Sequence, residues 1–305
     1  MPAFCDDVRL PSSRGLELCF LIQGTNSKTS TPGAHVGDKY VLPTGQNDAA
    51  RLDVIHAVYG AVSERALAQA AVGSAGRVAD VGCGTGTVSR WMAAHMGPAG
   101  RVDAIDISPD QLDVAKSITA AADASPVHYQ VGSAYEPGLA ESAYDIVFCR
   151  LVLCHLQDPQ KAVAQMARLL RPGGRLVLVD MDLRDTFTMP HCEYYPAYIK
   201  ECVIPYQTKI GVDYSVGLKL PQLLLDAGLR TDFVTADQPL FRDGPGKHLW
   251  EKTWTFALQR AVPEGVLTMD RGMELIAGME RHTASPDVWV AVAKMFAAVG
   301  TKPPQ

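Results

Sequence analysis

Between residues 77 and 182, short apolar runs that suit strands alternate with amphipathic runs that suit helices, and no other feature of the chain restricts its fold so sharply. The strand candidates are residues 78–81, 102–107, 127–131, 144–149 and 176–180. The helix candidates are 88–96, 109–122 and 158–170. Strands separated by helices at this spacing pair in parallel, and the helices cover both faces of the sheet. Such sheets bind ligands at the carboxyl ends of their strands. Helix boundaries carry their own signals. In Ser108-Pro109-Asp110-Gln111, Ser108 reads as an N-cap, Pro109 suits the first turn, and Gln111 can complete a capping box. Asp158-Pro159 opens the next helix, and Arg171-Pro172-Gly173-Gly174 stops it.

The flanks are less regular. Residues 1–37 include the polar, turn-forming Gly24-Thr25-Asn26-Ser27 and read as a loose arm, with an apolar piece at 16–22 suited to docking on the body or on a neighbouring subunit of a homo-oligomer. From Asn47, Leu52, Ile55, Tyr59, Val62 and Ala66 fall at helical spacing. After Asp182 the alternation breaks. Residues 183–214, rich in Tyr, Met, Pro and His, read as an insertion over the sheet edge. A helix over 218–227, a strand over 231–235, helices over 247–262 and 269–281, and a last strand over 295–299 follow. Met269, Met273, Ile276 and Met279 repeat as a core-facing helix stripe.

Composition removes several classes of function. The 28 Lys+Arg against 33 Asp+Glu, with a pI near 5.9, and the lack of a basic cluster argue against a phosphate backbone as partner, so no nucleic acid is expected. No apolar run reaches the roughly 20 residues that cross a bilayer, so no membrane is expected. The N-terminus lacks the basic region of a signal peptide. Seven cysteines without a disulfide framework read as free thiols, and a cytoplasmic protein is expected. The Cys149, Cys154, His155, His191 and Cys192 spacing matches no zinc pattern, so no metal is expected.

The chemistry concentrates in Asp80-Val81-Gly82-Cys83-Gly84-Thr85-Gly86, between a strand and a helix. Glycines there let the backbone turn tightly and approach a ligand. The nicotinamide fingerprint requires glycine at position 87, which is Thr87. An acid two residues before the first glycine suits a ligand carrying positive charge better than a pyrophosphate. Asp106 ends the second strand 20 residues past Gly86, where a carboxylate can accept hydrogen bonds from both ribose hydroxyls.

Taken in order, Asp80 to Gly86, Asp106-Ile107-Ser108, Gly132-Ser133-Ala134, Tyr144-Asp145-Ile146-Val147, His155-Leu156-Gln157-Asp158-Pro159 and Leu170-Arg171-Pro172-Gly173-Gly174 resemble the class I S-adenosylmethionine-dependent methyltransferases over roughly residues 38–240. Tyr40, Leu42, Gly45, Asp48, Arg51 and Leu52 match the spacing of the branch that methylates small molecules. The resemblance implies an α/β fold with a doubly wound, mostly parallel seven-stranded sheet, a reversed last strand and helical cap insertions. It divides the domain at 38–305 into lid helices (38–72), a cofactor-binding core (77–182) and a substrate cap (183–214 and 242–288). It implies S-adenosylmethionine as cofactor and a small-molecule acceptor, a secondary metabolite or a quinone- or terpenoid-like compound methylated on O, N or C.

The same resemblance assigns residues. Gly82, Gly84 and Gly86 would pass under the methionine and ribose portions of the cofactor, with Asp80 close by. Asp106 would hold the ribose, Ile107 would pack on the adenine, and Ser133 and Ala134 would line its edge. Tyr40 and Arg51 would close the entrance, Arg51 pairing with the cofactor carboxylate. Cys149 and Arg150 would meet the methionine moiety. His191, Glu193 and His155 are the candidate bases, although His155 also reads as a structural histidine. Tyr194, Tyr195, Tyr198, Tyr206, Tyr214, Trp250 and Trp254 can form an apolar acceptor wall or pack the cap onto the sheet. Two other classes stay open at this point: a nicotinamide oxidoreductase sharing the sheet and the ribose acid, and a relative that keeps the cofactor pocket for a non-transfer role.

Overall fold

A computed structural model describes residues 46–304. The expected arm over 1–37 and Tyr40 lie outside the described residues. The helices are α1 (Gln46–Gln69), α2 (Thr87–Met96), α3 (Pro109–Ser117), α4 (Pro159–Leu169), α5 (Tyr194–Tyr198), α6 (Ile204–Ile210), α7 (Leu220–Asp226), α8 (Gly244–Lys247), α9 (Leu249–Ala261) and α10 (Met269–Thr283). The strands are β1 (Arg77–Val81), β2 (Arg101–Asp106), β3 (Val127–Val131), β4 (Tyr144–Arg150), β5 (Leu170–Asp182), β6 (Phe187–Met189), β7 (Arg230–Asp237), β8 (Leu240–Phe241), β9 (Trp289–Ala291) and β10 (Lys294–Thr301).

Seven strands form one sheet in the order β3-β2-β1-β4-β5-β10-β7. β1 to β5 pair in parallel, and β10 is inserted antiparallel between β5 and β7. The expected α/β sheet with its reversed last strand is therefore the one observed. Val78, Ala79 and Val81 of the central β1 are fully buried, the apolar run that a parallel strand covered on both faces requires.

The amino ends of the strands are tied by carboxylates. Asp103 accepts from Arg77 Nε at 3.0 Å, Arg101 Nε at 2.8 Å and Tyr144 Oη at 2.9 Å, while Asp145 accepts the backbone N–H groups of Gly76 and Arg77 at 2.8 Å each. Burial acts to raise the Asp103 carboxyl, but the hydrogen bonds from Arg101, Tyr144 and Arg77 outweigh it and hold the group below its ordinary range. This polar clamp lies at the edge opposite the carboxyl ends.

Four local expectations change. α3 stops at Ser117 rather than 122, because the Ser117 hydroxyl turns back to the Val114 carbonyl at 2.7 Å and Ile118 becomes extended. β5 starts at Leu170, so the Pro172-Gly173-Gly174 tract lies inside the strand: pairing steps from Tyr144 with Leu170 to Ile146 with Arg175, and the residues between bulge out. β6, β9 and β8 form a second, three-stranded sheet within the cap, too short in each strand for a two-residue period to be read. On α10 the methionine stripe is only half a core face. Ile276 and Met279 are buried, whereas Met269 and Met273 are more than 40% exposed.

Candidate active site

A cavity of about 230 Å³ opens at the carboxyl ends of β1, β2, β4 and β5, with α1 on one side and the cap above. Its floor is the glycine loop. The N–H groups of Gly82 and Cys83 both donate to the Ile105 carbonyl, at 2.8 and 2.9 Å, which locks the loop to the end of β2. Gly82, Gly84 and Gly86 all have positive φ, of 76°, 54° and 73°. What a side chain would meet differs among them. A Cβ at Gly82 would collide with Val152, and one at Gly86 with the Tyr129 ring. At Gly84 the nearest neighbour is Leu52 Cδ1 at 3.7 Å. Gly82 and Gly86 are thus required by the protein's own packing, and Gly84 leaves open the space that a ligand would use. Gly82 and Gly84 line the cavity; Gly86 does not.

Asp106 lines the cavity beside this loop and already has work in the fold. Its Oδ2 accepts the Gly84 N–H at 2.8 Å and its Oδ1 the Ser108 N–H at 2.9 Å. Burial raises its carboxyl above the usual range, against the pull of these amides. Both oxygens keep lone pairs for further donors. Asp80 is buried beneath the loop and accepts the Ser89 hydroxyl at 2.5 Å. Burial pushes its carboxyl up to about 6, while the Ser89 hydrogen bond and the Arg150 charge act downward. The Arg150 guanidinium lines the same end and makes a long contact, 3.5 Å, with His56 Nδ1. Burial lowers it to about 10, so it stays cationic at neutral pH. Arg51, on α1, also lines the cavity.

At the other end stand Ile107, Gly132, Ser133 and Ala134, as expected, with Gln111 of α3. The Ser133 hydroxyl accepts the Tyr135 N–H at 3.1 Å within its own turn. The upper wall comes from the cap: Tyr198, Tyr206, Tyr214, Trp250 and Trp254 with Cys202, Val203 and Leu249. Tyr198 stacks on Trp254 with ring centroids 4.7 Å apart and an interplanar angle of 11°, and its hydroxyl donates to the Trp254 carbonyl at 3.0 Å. Every titratable side chain on the wall supplied by residues 198–257 is a tyrosine or cysteine; no carboxylate or ammonium group lines that part of the cavity.

The three candidate bases do not stay together. His155 lines the cavity, edge-on to Tyr214 at 5.9 Å between ring centroids. Burial, and secondarily the Arg51 charge, lower its imidazole to about 4, so it is neutral at pH 7. His191 and Glu193 are exposed and do not line the cavity, because α5 turns the segment ahead of Tyr194 outward. Cys149 is likewise off the cavity, its thiol packed inside the sheet. Tyr194 and Tyr195 do not line it either. The buried Tyr195 hydroxyl donates to Glu251 Oε1 at 3.1 Å, a carboxylate that also receives Thr283 Oγ1 at 2.6 Å and faces His248 Nδ1 at 2.9 Å. These groups hold α5, α9 and α10 together.

Sequence reasoning missed Tyr59 and Ile55 as cavity residues, having read them only as one face of a helix, gave Leu52 no place in the site, and missed Gln111. Among the described residues no group of three or more His, Cys, Asp or Glu is arranged to hold a metal ion, and no helix is long and apolar enough to cross a membrane.

The family model described as a methyltransferase domain matches residues 79–178. A 37.1 kDa transposon-encoded protein of Streptomyces fradiae is 34% identical over 165 residues, covering 54% of this chain and 46% of that one. The malonyl-[acyl-carrier protein] O-methyltransferase of Serratia marcescens is 36% identical over 126 residues, covering 41% of this chain and 46% of that one. The chain thus spans about half the length of these curated relatives. A crystal structure of a presumed methyltransferase from Bacillus halodurans C-125 superposes with a TM-score of 0.54 at 17% identity, over 79% of this chain and 98% of that one, which is a likeness of fold. The matched segment contains the glycine loop and Asp106, so residues 79–178 are similar in sequence to a methyltransferase domain, and the sheet that carries them has the same fold as the Bacillus halodurans structure.

Proposed function

We propose that this protein transfers the methyl group of S-adenosylmethionine to a small, largely uncharged and apolar acceptor. The observation that carries the reading is one cavity with two unlike walls: the glycine loop with Asp106 and two guanidiniums below, and a tyrosine–tryptophan cap above. The lower wall fits the cofactor. Gly84 leaves room where a side chain would block it, and the donor set is complementary in charge. In this reading Asp106 accepts the ribose hydroxyls, Ile107 and Ala134 flank the adenine, and Arg150 and Arg51 pair with the amino-acid carboxylate. Asp80 and the loop carbonyls supply negative potential near the sulfonium. When bound, the cofactor supplies an electrophilic methyl for in-line displacement.

The chain's own contribution is mainly to hold the acceptor close and to exclude water. Positioning of this kind accounts for a large part of catalysis in such displacements. The aromatic cap offers contact area and no cationic side chain, which supports an apolar acceptor over an anionic one. A neutral His155 imidazole at the cavity wall can accept a proton from an acceptor hydroxyl, and it is the base that the geometry favours over His191 and Glu193. Residues 38–72 serve as the lid, and 183–214 with 242–288 as the cap. The reducing cytoplasm suits the free thiols Cys83, Cys149, Cys154, Cys192 and Cys202.

Thermal-shift comparison tests the reading directly. S-adenosylhomocysteine should raise the melting temperature and NADH should leave it unchanged; stabilisation by NADH alone would overturn it. Incubation with isotopically labelled S-adenosylmethionine and a panel of hydroxylated aromatic or isoprenoid compounds should yield a product heavier by one methyl.

A further inference from the structure

The carboxamide of Gln111 is out of place for a helix cap. In a capping box its side chain would reach back to the Ser108 N–H. Here only half of the box forms: the Ser108 hydroxyl accepts the Gln111 N–H at 3.4 Å, while the Ser108 N–H is already taken by Asp106 Oδ1 at 2.9 Å. The Gln111 side chain is therefore released from the helix end. It is 3% exposed, it lines the cavity, and its Oε1 is buried with no hydrogen-bond partner among the described residues. A buried acceptor oxygen left without a donor is destabilising. Such a group in a ligand cavity is expected to be paired when the ligand is present.

Its neighbours on the cavity wall are Asp106, Ile107, Gly132, Ser133 and Ala134. These residues follow β2 and β3, on the other side of β1 from β4, which ends at Arg150. Apart from Asp106, which the ribose claims, and the Ser133 hydroxyl, which accepts the Tyr135 N–H within its own turn, these residues bring no polar side chain. Resting on the cofactor reading above, we infer that the Gln111 carboxamide recognises the adenine edge of the cofactor, its oxygen accepting from the 6-amino group and its NH₂ donating to a ring nitrogen. A carboxamide and the amino/ring-nitrogen edge of adenine are a donor–acceptor match in two places, which neither the hydroxyl of Ser133 nor the side chains of Ile107 and Ala134 can provide.

The test is calorimetric affinity rather than turnover. S-adenosylhomocysteine and its 6-deamino (purine) analogue are titrated into the parent protein, Gln111→Met and Gln111→Glu. Methionine keeps the length and bulk of the side chain and removes both hydrogen bonds; glutamate keeps the acceptor and removes the donor. A bidentate pair of this kind is worth about 1–3 kcal/mol, so Gln111→Met should bind S-adenosylhomocysteine roughly 5- to 150-fold more weakly. The parent should discriminate against the deamino analogue by a similar factor, and Gln111→Met should not discriminate. Gln111→Glu should fall between the two and still prefer the amino compound. Circular dichroism and the melting temperature report whether each variant is folded, and a variant that fails to fold is replaced by Gln111→Leu. Gln111→Met binding within twofold of the parent, or equal discrimination by parent and variant, overturns the inference alone. A parent protein that does not bind S-adenosylhomocysteine overturns the cofactor reading and this inference with it.

Discussion

Substituting alanine at each of the three loop glycines in turn should separate the positions that hold the fold from the one that faces the ligand. All three residues have positive φ, and forcing an L-residue into the left-handed region costs about 1–2 kcal/mol. At Gly84 that is the whole cost, since the nearest atom to a new Cβ is 3.7 Å away. At Gly82 the Cβ strikes Val152, and at Gly86 it falls 2.8 Å from Tyr129 Cε1. Relieving such overlaps adds about 1–3 kcal/mol. With about 2–4 °C per kcal/mol for a domain of this size, Gly84→Ala should lower the melting temperature by roughly 2–8 °C, and Gly82→Ala or Gly86→Ala by roughly 4–20 °C. Affinity should behave in the opposite way. Gly84→Val, whose methyls fill the cradle, should abolish binding of S-adenosylhomocysteine by calorimetry in a protein that still melts cooperatively. Binding by Gly84→Val within twofold of the parent, or a stability loss at Gly84 equal to that at Gly82, would refute the placement of the ligand over this residue.

Other perturbations probe the remaining parts of the site. Asp106→Asn keeps the shape but points an amide donor at the Gly84 or Ser108 N–H; the loss of a charge-assisted bond, about 1.5–3 kcal/mol, should weaken S-adenosylhomocysteine at least tenfold and lower the melting temperature, and unchanged affinity would exclude Asp106 from the ribose. His155 has its imidazole lowered to about 4 in the folded chain against an ordinary 6.5, so the unfolded chain takes up the proton first as pH falls. The stability linked to it is full above pH 6.5 and erodes as pH drops from 6.5 toward 4. The urea midpoint of the parent should fall more steeply over that window than that of His155→Phe, and parallel slopes would contradict the burial argument. Tyr195→Phe should cost about 1–3 kcal/mol in chemical denaturation by removing a donor from buried Glu251, with cofactor affinity unchanged. A shift in affinity would mean that Tyr195 reaches the cavity after all.

Periodicity and turn chemistry made most of the sheet legible. Val78 to Val81, residues 102–107 and 144–149 are apolar runs bounded by turns, and their order predicts a parallel core. The loop and Asp106 were readable because spacing along the chain there equals proximity in space: a strand end, a turn and the next strand end. The candidate bases were not readable in that way. His191 and Glu193 precede α5, and whether they face inward depends on how α5 packs against α9 and α10, through Glu251, Tyr195 and Thr283, residues up to 88 positions apart in sequence. Gln111 was misread for a different reason. A capping box is a local pattern, but its second bond was lost to Asp106, a residue outside the tetrapeptide. The three-stranded cap sheet has strands too short to carry a period.

The two walls of the cavity also differ in where they lie along the polypeptide. The lower wall, α1 included, is encoded before Asp182, and the tyrosine–tryptophan wall of the cap after it. The two walls are therefore separable by a single crossover. A recombination event joining the first 182 residues of one such chain to the remainder of another would leave the glycine loop and Asp106 intact and exchange the tyrosine–tryptophan wall in one step, provided that β7 and β10 still find the edge of β5. Under the proposed function, descent with a fixed cofactor and a drifting acceptor is the evolutionary behaviour that this chain order favours.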